Sequence, residues 1–447
     1  MTPTRWLLLS FLVLIAVGTL ALKLPGMSTG APLSWVDALF MATSAVCVTG
    51  LTTVSVQFDL SPAGQLLILL LIQLGGIGIV TLASVLIFSV HKRLPLEYQE
   101  MLSSTVAAGR RVAVREVAVV VVRYTLVLEL AGFVLLMVFW PPTTSLGERL
   151  WLCLFHTVSA FCNAGFSLYH DSLERLADAP GVNIVIMGLI VLGGFGFVNL
   201  QELWLRLRAG TLQWRRCSLF MKTSLVFTVL LIALGALSLL ALERWVAFAG
   251  RGAGEALLAA LFQSVTTRTA GFNTVPVVDF TDLSLFLMMI LMFIGGVSGS
   301  CAGGVKLGAL TVLVAMLRSY LRNHRDPLLF QRRIPAPIQR RALVLIFASL
   351  LAVAGGVILL YLCEARLVSF RDTMGSEFLA YLFEVVSALG TVGLSTGLTP
   401  ELSPHSKLLL VTLMFTGRLG PLVMIAAWVD TGAPRPFTQP EEALPVG

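Results

Sequence analysis

Four segments spread along this chain are written to one pattern: FMATSAVCVTGL (40–51), FHTVSAFCNAGF (155–166), FQSVTTRTAGF (262–272) and FEVVSALGTVGL (383–394). Each opens on Phe, carries hydroxyl residues in its middle and closes on Gly followed by Leu or Phe. The closing glycines are Gly50, Gly165, Gly271 and Gly393. Four matches in register do not arise by chance, and they mark an internal repeat. Each segment is semi-apolar and too short to cross a bilayer, which is the length expected of a re-entrant element.

The rest of the chain supplies the solvent for such elements. Of 447 residues, 57% are hydrophobic and 12% charged, more apolar surface than a soluble domain can hide. Eight stretches are long enough to span, near 5–24, 64–90, 117–140, 182–205, 219–246, 283–317, 340–363 and 406–429. The first reads as a span rather than a signal peptide, because its apolar run is long and no small-x-small cleavage site follows. The net charge of +7 is distributed unevenly. Lys92, Arg93, Arg110, Arg111 and Arg115 fall between the second and third spans. Arg206, Arg208, Arg215, Arg216 and Lys222 fall between the fourth and fifth. Arg318, Arg322, Arg325, Arg332, Arg333, Arg340 and Arg341 fall between the sixth and seventh. The remaining connections hold Asp59, Asp171, Asp279, Asp282 and Glu401. The positive-inside rule then places both termini and the three basic loops in the cytoplasm. The fold class expected is all-α integral membrane, with eight transmembrane helices in four fused repeats of span, short helix, glycine loop and span. The units are 1–90, 91–210, 211–325 and 326–430, followed by a cytoplasmic C-terminal tail, 431–447.

Non-helical backbone is tolerated at membrane depth only where protein buries it or water lines it. Four re-entrant loops meet that condition by converging on one axis, around a single pore. Each short helix then points its C-terminal end inward, and the macrodipole brings partial negative charge toward the axis. The loops offer carbonyl oxygens in place of an ion's hydration shell. The candidate filter residues are Val48, Thr49 and Gly50; Asn163, Ala164 and Gly165; Thr269, Ala270 and Gly271; and Thr391, Val392 and Gly393. Thr391-Val392-Gly393-Leu394 is similar to the TVGYG filter of potassium channels, but no second glycine follows at i+2, so fewer well-formed sites are expected. The third loop is one residue shorter and carries Arg268, a cation whose charge must be engaged elsewhere; Glu384 is a candidate partner. His156 lies away from its closing glycine and suits a hydrogen-bonded structural role. Cys47 and Cys162 share one repeat position and read as packing behind the filter. None of the six cysteines forms a CxxC pair.

The second helix of each unit carries a glycine cluster. In the first two, Gly75-Gly76-Ile77-Gly78 and Gly193-Gly194-Phe195-Gly196, close helix packing is the simplest reading. The third, GGVSGSCAGGVK (295–306), has too little helix propensity to stay helical and is expected to break the sixth span in mid-membrane. Its loop residues are Gly295, Gly296, Ser298, Gly299, Ser300, Gly303 and Gly304. Arg418, in the fourth cluster, lies at equivalent depth. An intramembrane Arg is a functional candidate, either attracting the loop's carbonyls or repelling a cation.

The motifs TSAVCVTGL, HTVSAFCNAGF, QSVTTRTAGFNT and EVVSALGTVGL carry a resemblance. The chain resembles the Trk/Ktr/HKT family of potassium transporters over nearly its whole length, and with eight spans rather than ten it is closer to the KtrB-type membrane subunit. The resemblance implies potassium uptake across the cytoplasmic membrane, with the potassium ion held as substrate at the filter residues. It admits sodium as an activating or coupling ion. It gives 295–306 the role of a gate below the filter. Glycine at position 50 favours potassium, since serine there goes with sodium transport in some plant members. The implied partners are a second copy in a homodimer, a KtrA-type cytoplasmic ring of nucleotide-binding regulatory subunits, and membrane lipid, with no nucleic acid.

Two other classes compete. An intramembrane enzyme needs a Ser/His dyad or paired aspartates within spans; the spans hold no Asp pair, and His156 has no evident serine partner on another span. A proton- or sodium-driven carrier of another solute usually shows inverted repeats; here the four repeats run in one orientation. Glycine runs such as 75–78 lie inside apolar helices rather than after a strand, so they fail as nucleotide fingerprints.

Overall fold

The computed structural model describes residues 3–78, 114–142, 145–210, 213–324, 326–364 and 376–420. The later half of the expected second span, the basic residues Lys92, Arg93, Arg110, Arg111 and Arg325, the end of the expected eighth span and the tail lie outside the described residues.

The chain is helical, and its helices fall into four like groups. The first holds α1 (Pro3–Leu22), α2 (Trp35–Val46) and α3 (Pro62–Ile77). The second holds α4 (Val114–Phe139), α5 (Leu146–Phe161), α6 (Pro180–Gly194) and α7 (Phe197–Arg208). The third holds α8 (Leu219–Glu243), α9 (Ala253–Thr266), α10 (Asp282–Phe293) and α11 (Leu307–Leu321). The fourth holds α12 (Ala336–Glu364), α13 (Ser376–Gly390) and α14 (Pro404–Leu419). Among the described residues, three helical stretches are long and apolar enough to cross a membrane unbroken: 121–139, 219–243 and 336–364. All three belong to outer helices, α4, α8 and α12. They leave side chains such as Leu130, Leu237 and Ile358 exposed, as a lipid-facing surface requires.

One contact recurs in every group and fixes its register. A Cβ added to Gly18, Gly132, Gly235 or Gly356 of an outer helix would lie 2.6 to 3.1 Å from Leu71, Leu189, Leu291 or Leu413 of its inner helix. In all four cases that leucine stands four residues before the first glycine of the cluster. A small residue at such a crossing lets two backbones approach where no water-driven force holds them together.

The short helices α2, α5, α9 and α13 are the cores of the groups. Their opening Phe40, Phe155, Phe262 and Phe383 are almost wholly buried. Ser34 accepts a hydrogen bond from the Asp37 amide and Ser145 one from the Glu148 amide, satisfying helix N-termini that would otherwise be orphaned. Each of the four has a carboxylate in its first turn, Asp37, Glu148, Glu255 or Glu377, beside the positive end of the dipole. The negative ends point at the glycine loops.

Two features depart from the sequence expectations. The fourth span is not continuous: α6 and α7 meet at 103°, with Gly196 at φ +88°. Like the sixth, it breaks at its glycine cluster. A small antiparallel hairpin, β1 (Leu328–Leu329) with β2 (Arg332–Arg333), is also present between helices of the described residues. Its turn residues Phe330 and Gln331 both take positive φ, the geometry of a tight two-residue hairpin.

Candidate functional site

The chain leaves each short helix through the same turn. The amides of Thr49, Ala164 and Val392 reach back five residues to the carbonyls of Ser44, Ser159 and Ser387. In the third group Ala270 reaches back four, to Thr266. The missing residue therefore lies in the turn after Thr266, which stands where the other groups have serine. The hydroxyls of these four residues stitch the loops down. Ser44 accepts from the Gly50 amide and Ser387 from the Gly393 amide, at 3.1 Å each. Ser159 donates to the Phe166 carbonyl at 2.7 Å, and Thr266 to that of Phe272 at 2.6 Å.

Backbone conformation is equally repetitive. Val48, Asn163, Thr269 and Thr391 all have positive φ, from +49° to +66°. The closing glycines have φ from +69° to +99°. Alternating these angles with ordinary ones turns successive carbonyls to one side. For a non-glycine residue such a conformation costs on the order of 1–3 kcal/mol and persists only where surrounding structure imposes it.

The four glycines form a closed ring. A Cβ on Gly50 would sit 2.5 Å from the Ala164 carbonyl oxygen, and one on Gly165 would sit 2.7 Å from that of Ala270. One on Gly271 would sit 2.5 Å from that of Val392, and one on Gly393 would sit 2.2 Å from that of Thr49. The order runs 1, 2, 3, 4 and back to 1. All twelve candidate filter residues thus lie in four adjoining loops about one axis. The hydroxyls of Thr49, Thr269 and Thr391 are buried there without a protein partner. A buried polar oxygen left this way is costly unless something satisfies it, and a partly dehydrated cation is a suitable guest.

The glycine clusters of the inner helices do two things. Their first members pack on the ends of the short helices. A Cβ on Gly75, Gly193 or Gly417 would lie 1.9 to 2.0 Å from the carbonyl oxygen of Val46, Phe161 or Leu389. Gly417→Ala is therefore expected to destabilise the protein by about 1–3 kcal/mol, since neither backbone can yield. Gly188→Ala, which has nothing within 4 Å of the new methyl, is expected to leave the melting temperature in detergent unchanged or raised. Equal effects of the two would contradict this packing. The last members end helices: Gly78, Gly196 and Gly420 take φ of +82°, +88° and +89°.

In the third group the cluster becomes a loop, 294–306, folded beneath the ring. Its ends pinch together through the Ile294–Val305 bridge, and Gly299 and Gly304 have positive φ. A Cβ on Gly303 would strike the Thr391 hydroxyl at 1.8 Å, so the loop lies directly against the fourth glycine loop. The broken α6 helps to hold it. The amides of Val297 and Cys301 donate to the carbonyls of Gly194 and Gly193, and the Phe197 amide donates to that of Gly299, each at 3.1 Å. The Ser300 hydroxyl closes on the Val297 carbonyl at 2.6 Å. Gly295 and Gly296 carry the strand bonds to Val305 and Leu307, and the Ser298 carbonyl passes 3.1 Å from a Cβ built on Gly196.

Arg418 donates to the loop carbonyl of Cys301 and, at 2.5 Å, to that of Gly75 on α3. Lys306, which sequence reasoning passed over, donates to the Ala302 carbonyl, next to the Cys301 carbonyl that Arg418 holds. Its only signal was the last letter of GGVSGSCAGGVK. Arg268 does not pair with Glu384, contrary to expectation. Its guanidinium donates to the Gly295 carbonyl at 3.2 Å. Glu384 is instead filled by Ser395, Thr396 and Thr399 of the strand beyond its own filter loop, at 2.6 to 3.3 Å. His156 is buried between the Leu152 carbonyl and the Ser167 hydroxyl, at 2.8 and 2.9 Å, in a structural position. Cys47 and Cys162 are wholly buried behind the loops.

Comparison with known proteins gives a consistent picture. Residues 8–431 match the TrkH family model, described as a cation transport protein. The chain is 35% identical to the Ktr system potassium uptake protein B of Vibrio alginolyticus over 445 residues, 99% of this chain and 94% of that protein. It is 34% identical to the potassium/sodium uptake protein NtpJ of Enterococcus hirae over 453 residues, 100% of this chain and 98% of that one. The crystal structure of the potassium transporter TrkH from Vibrio parahaemolyticus superposes with a TM-score of 0.73 at 20% identity, covering 95% of this chain and 84% of that one.

Proposed function

The chain belongs to the TrkH family of cation transport proteins, and from that membership we propose that it takes up potassium across the cytoplasmic membrane through the ring of four glycine loops. The observation that carries this reading is the closed cycle of glycine-to-carbonyl contacts, Gly50 to Ala164, Gly165 to Ala270, Gly271 to Val392 and Gly393 to Thr49. A potassium ion on that axis exchanges hydration water for backbone carbonyls held by buried serine and threonine hydroxyls. The C-terminal ends of α2, α5, α9 and α13 add partial negative charge behind them. The pore helices start from the outer side and the basic loops face the cytoplasm, so both termini are cytoplasmic.

The 294–306 loop acts as a gate. It obstructs the path below the ring, and its hold on α6, α3 and Arg418 favours the closed arrangement. A gate of this kind moves when a partner favours one arrangement over another. Two relatives with 35% identity, from Vibrio alginolyticus and Bacillus subtilis, are named as protein B of a Ktr system, which supports a separate regulatory component. We assign that role to a cytoplasmic nucleotide-binding ring, docked on a homodimer in which each subunit has its own pore. The Enterococcus relative's name includes sodium, which supports sodium as an activating or coupling ion.

Expression in a strain lacking its own potassium uptake systems tests the reading. Growth at low potassium and rubidium uptake competed by potassium are expected. Uptake of neither ion by correctly inserted protein would overturn it. Co-expression with a genomically adjacent nucleotide-binding protein is expected to yield a stable complex and nucleotide-dependent flux. Full regulated uptake by a solitary monomer in mild detergent would contradict the partner assignment.

A further inference from the structure

The shared Gly–Leu crossing sets the four groups in one register, and in that register two polar residues are out of place. Three residues before the outer-helix glycine stand Ile15, Glu129, Ile232 and Val353. Two residues before the first cluster glycine stand Gln73, Val191, Phe293 and Phe415. Each row holds one polar residue and three apolar ones, and the two polar residues bond each other. The Gln73 side-chain amide on α3 donates to the Glu129 carboxylate on α4 at 3.0 Å. Glu129 is 8% exposed.

The pair touches both parts of the site. The thiol of Cys162, the residue before Asn163 of the second filter loop, lies 3.7 Å from the Gln73 carbonyl oxygen and 4.0 Å from the Glu129 carboxylate. That sulfur also occupies the space beside Gly76, 2.5 Å from where a Cβ would stand. Gly75 and Gly76 form the last turn of α3, and their carbonyls are free to face the gate loop. Gly75 accepts from Arg418 at 2.5 Å, and Gly76 accepts from the Cys301 thiol at 3.4 Å. The last turn of α3 is thus a seat for the closed loop, and Gln73 lies within that turn's reach.

Energetics make the pair hard to explain as packing. Apolar side chains of similar volume fill the same places in the other groups, and replacing a buried polar pair by such residues is often neutral or stabilising. Local departures of this sort concentrate at functional sites. We propose that Gln73 and Glu129 are positioning residues for the gate: their hydrogen bond fixes the end of α3 at the height and rotation where Gly75 and Gly76 receive Arg418 and Cys301. The inference rests on the gate reading of 294–306.

The test returns both positions to what other groups carry, Gln73→Val with Glu129→Ile, which removes donor and acceptor together and leaves only the weak thiol donor of Cys162 without these acceptors. The double variant is expected to match the parent in yield and melting temperature in detergent. Its rubidium flux in the absence of any regulatory protein is expected to rise about fivefold, a modest coupling between sites. Glu129→Gln keeps an acceptor for Gln73 and is expected to stay at parental flux. Arg418→Gln is measured in the same preparations. If Arg418→Gln raises flux and the stable double variant does not, the gate stands and this inference fails. If neither raises flux, the gate reading fails and takes the inference with it. A double variant that folds poorly would also overturn it, because the pair would then be holding the fold rather than the seat. So would a rise in Glu129→Gln equal to that of the double variant.

Discussion

Deleting residues 297–303 is expected to raise potassium flux without any regulatory protein, by up to about a hundredfold if the closed gate is near 99% populated in the parent. The segment Val-Ser-Gly-Ser-Cys-Ala-Gly carries only small side chains, and hydrogen bonds tie it to its surroundings. Arg418→Gln is expected to raise flux by a smaller factor. Glutamine retains one donor for a loop carbonyl but loses the second bond and the charge that discourages a passing cation. The deletion also leaves the Gly193 and Gly194 carbonyls of α6 without their loop partners, so insertion and folding are checked before flux is compared. Tracer uptake into vesicles with insertion checked in parallel measures both variants. Lower flux from well-inserted variants would mean that the loop supports the pore instead of closing it.

Gly50→Ser is expected to reduce discrimination of potassium against sodium by roughly tenfold, a change of ~1.4 kcal/mol. The residue has φ of +99°, where a side chain is strained. Its Cβ would stand 2.5 Å from the Ala164 carbonyl oxygen and 3.1 Å from the Gly165 Cα. The neighbouring loop must shift, and one quarter of the carbonyl ring loses its spacing. A serine hydroxyl also adds a compact oxygen ligand. Competition of rubidium uptake by potassium and sodium reads the ratio directly. An unchanged ratio in a folded variant would remove Gly50 from the filter.

The four adjoining glycine loops were legible because one chemical demand falls on one residue type in four places. Close approach and a positive φ leave glycine as the only good choice, so Gly50, Gly165, Gly271 and Gly393 announce themselves. The break of the sixth span at 294–306 was legible for a similar reason, since GGVSGSCAGGVK has no helical alternative. The left-handed backbone of the residues two before each of these glycines was not. Val48, Thr269 and Thr391 are β-branched, the types that least advertise a left-handed conformation. The break of α6 at Gly194 was hidden because its cluster meets two demands at once. Gly193 packs against the Phe161 carbonyl, as small residues in membranes do, while Gly196 turns the chain. The partner of Arg268 was misread because a buried cation suggests a buried carboxylate. A loop carbonyl serves instead, and Glu384 secures hydroxyls of its own strand. Glu129 was overlooked inside an apolar span, although registering the four groups against one another isolates it.

The four loops are expected to bind one dehydrated potassium ion on their shared axis. Anomalous diffraction from crystals grown in rubidium or thallium tests it most directly. A peak is expected on the axis within coordinating distance of the carbonyl oxygens of Thr49, Ala164, Ala270 and Val392. A well-ordered ring with no peak there, and an ion bound elsewhere in the protein, would contradict it.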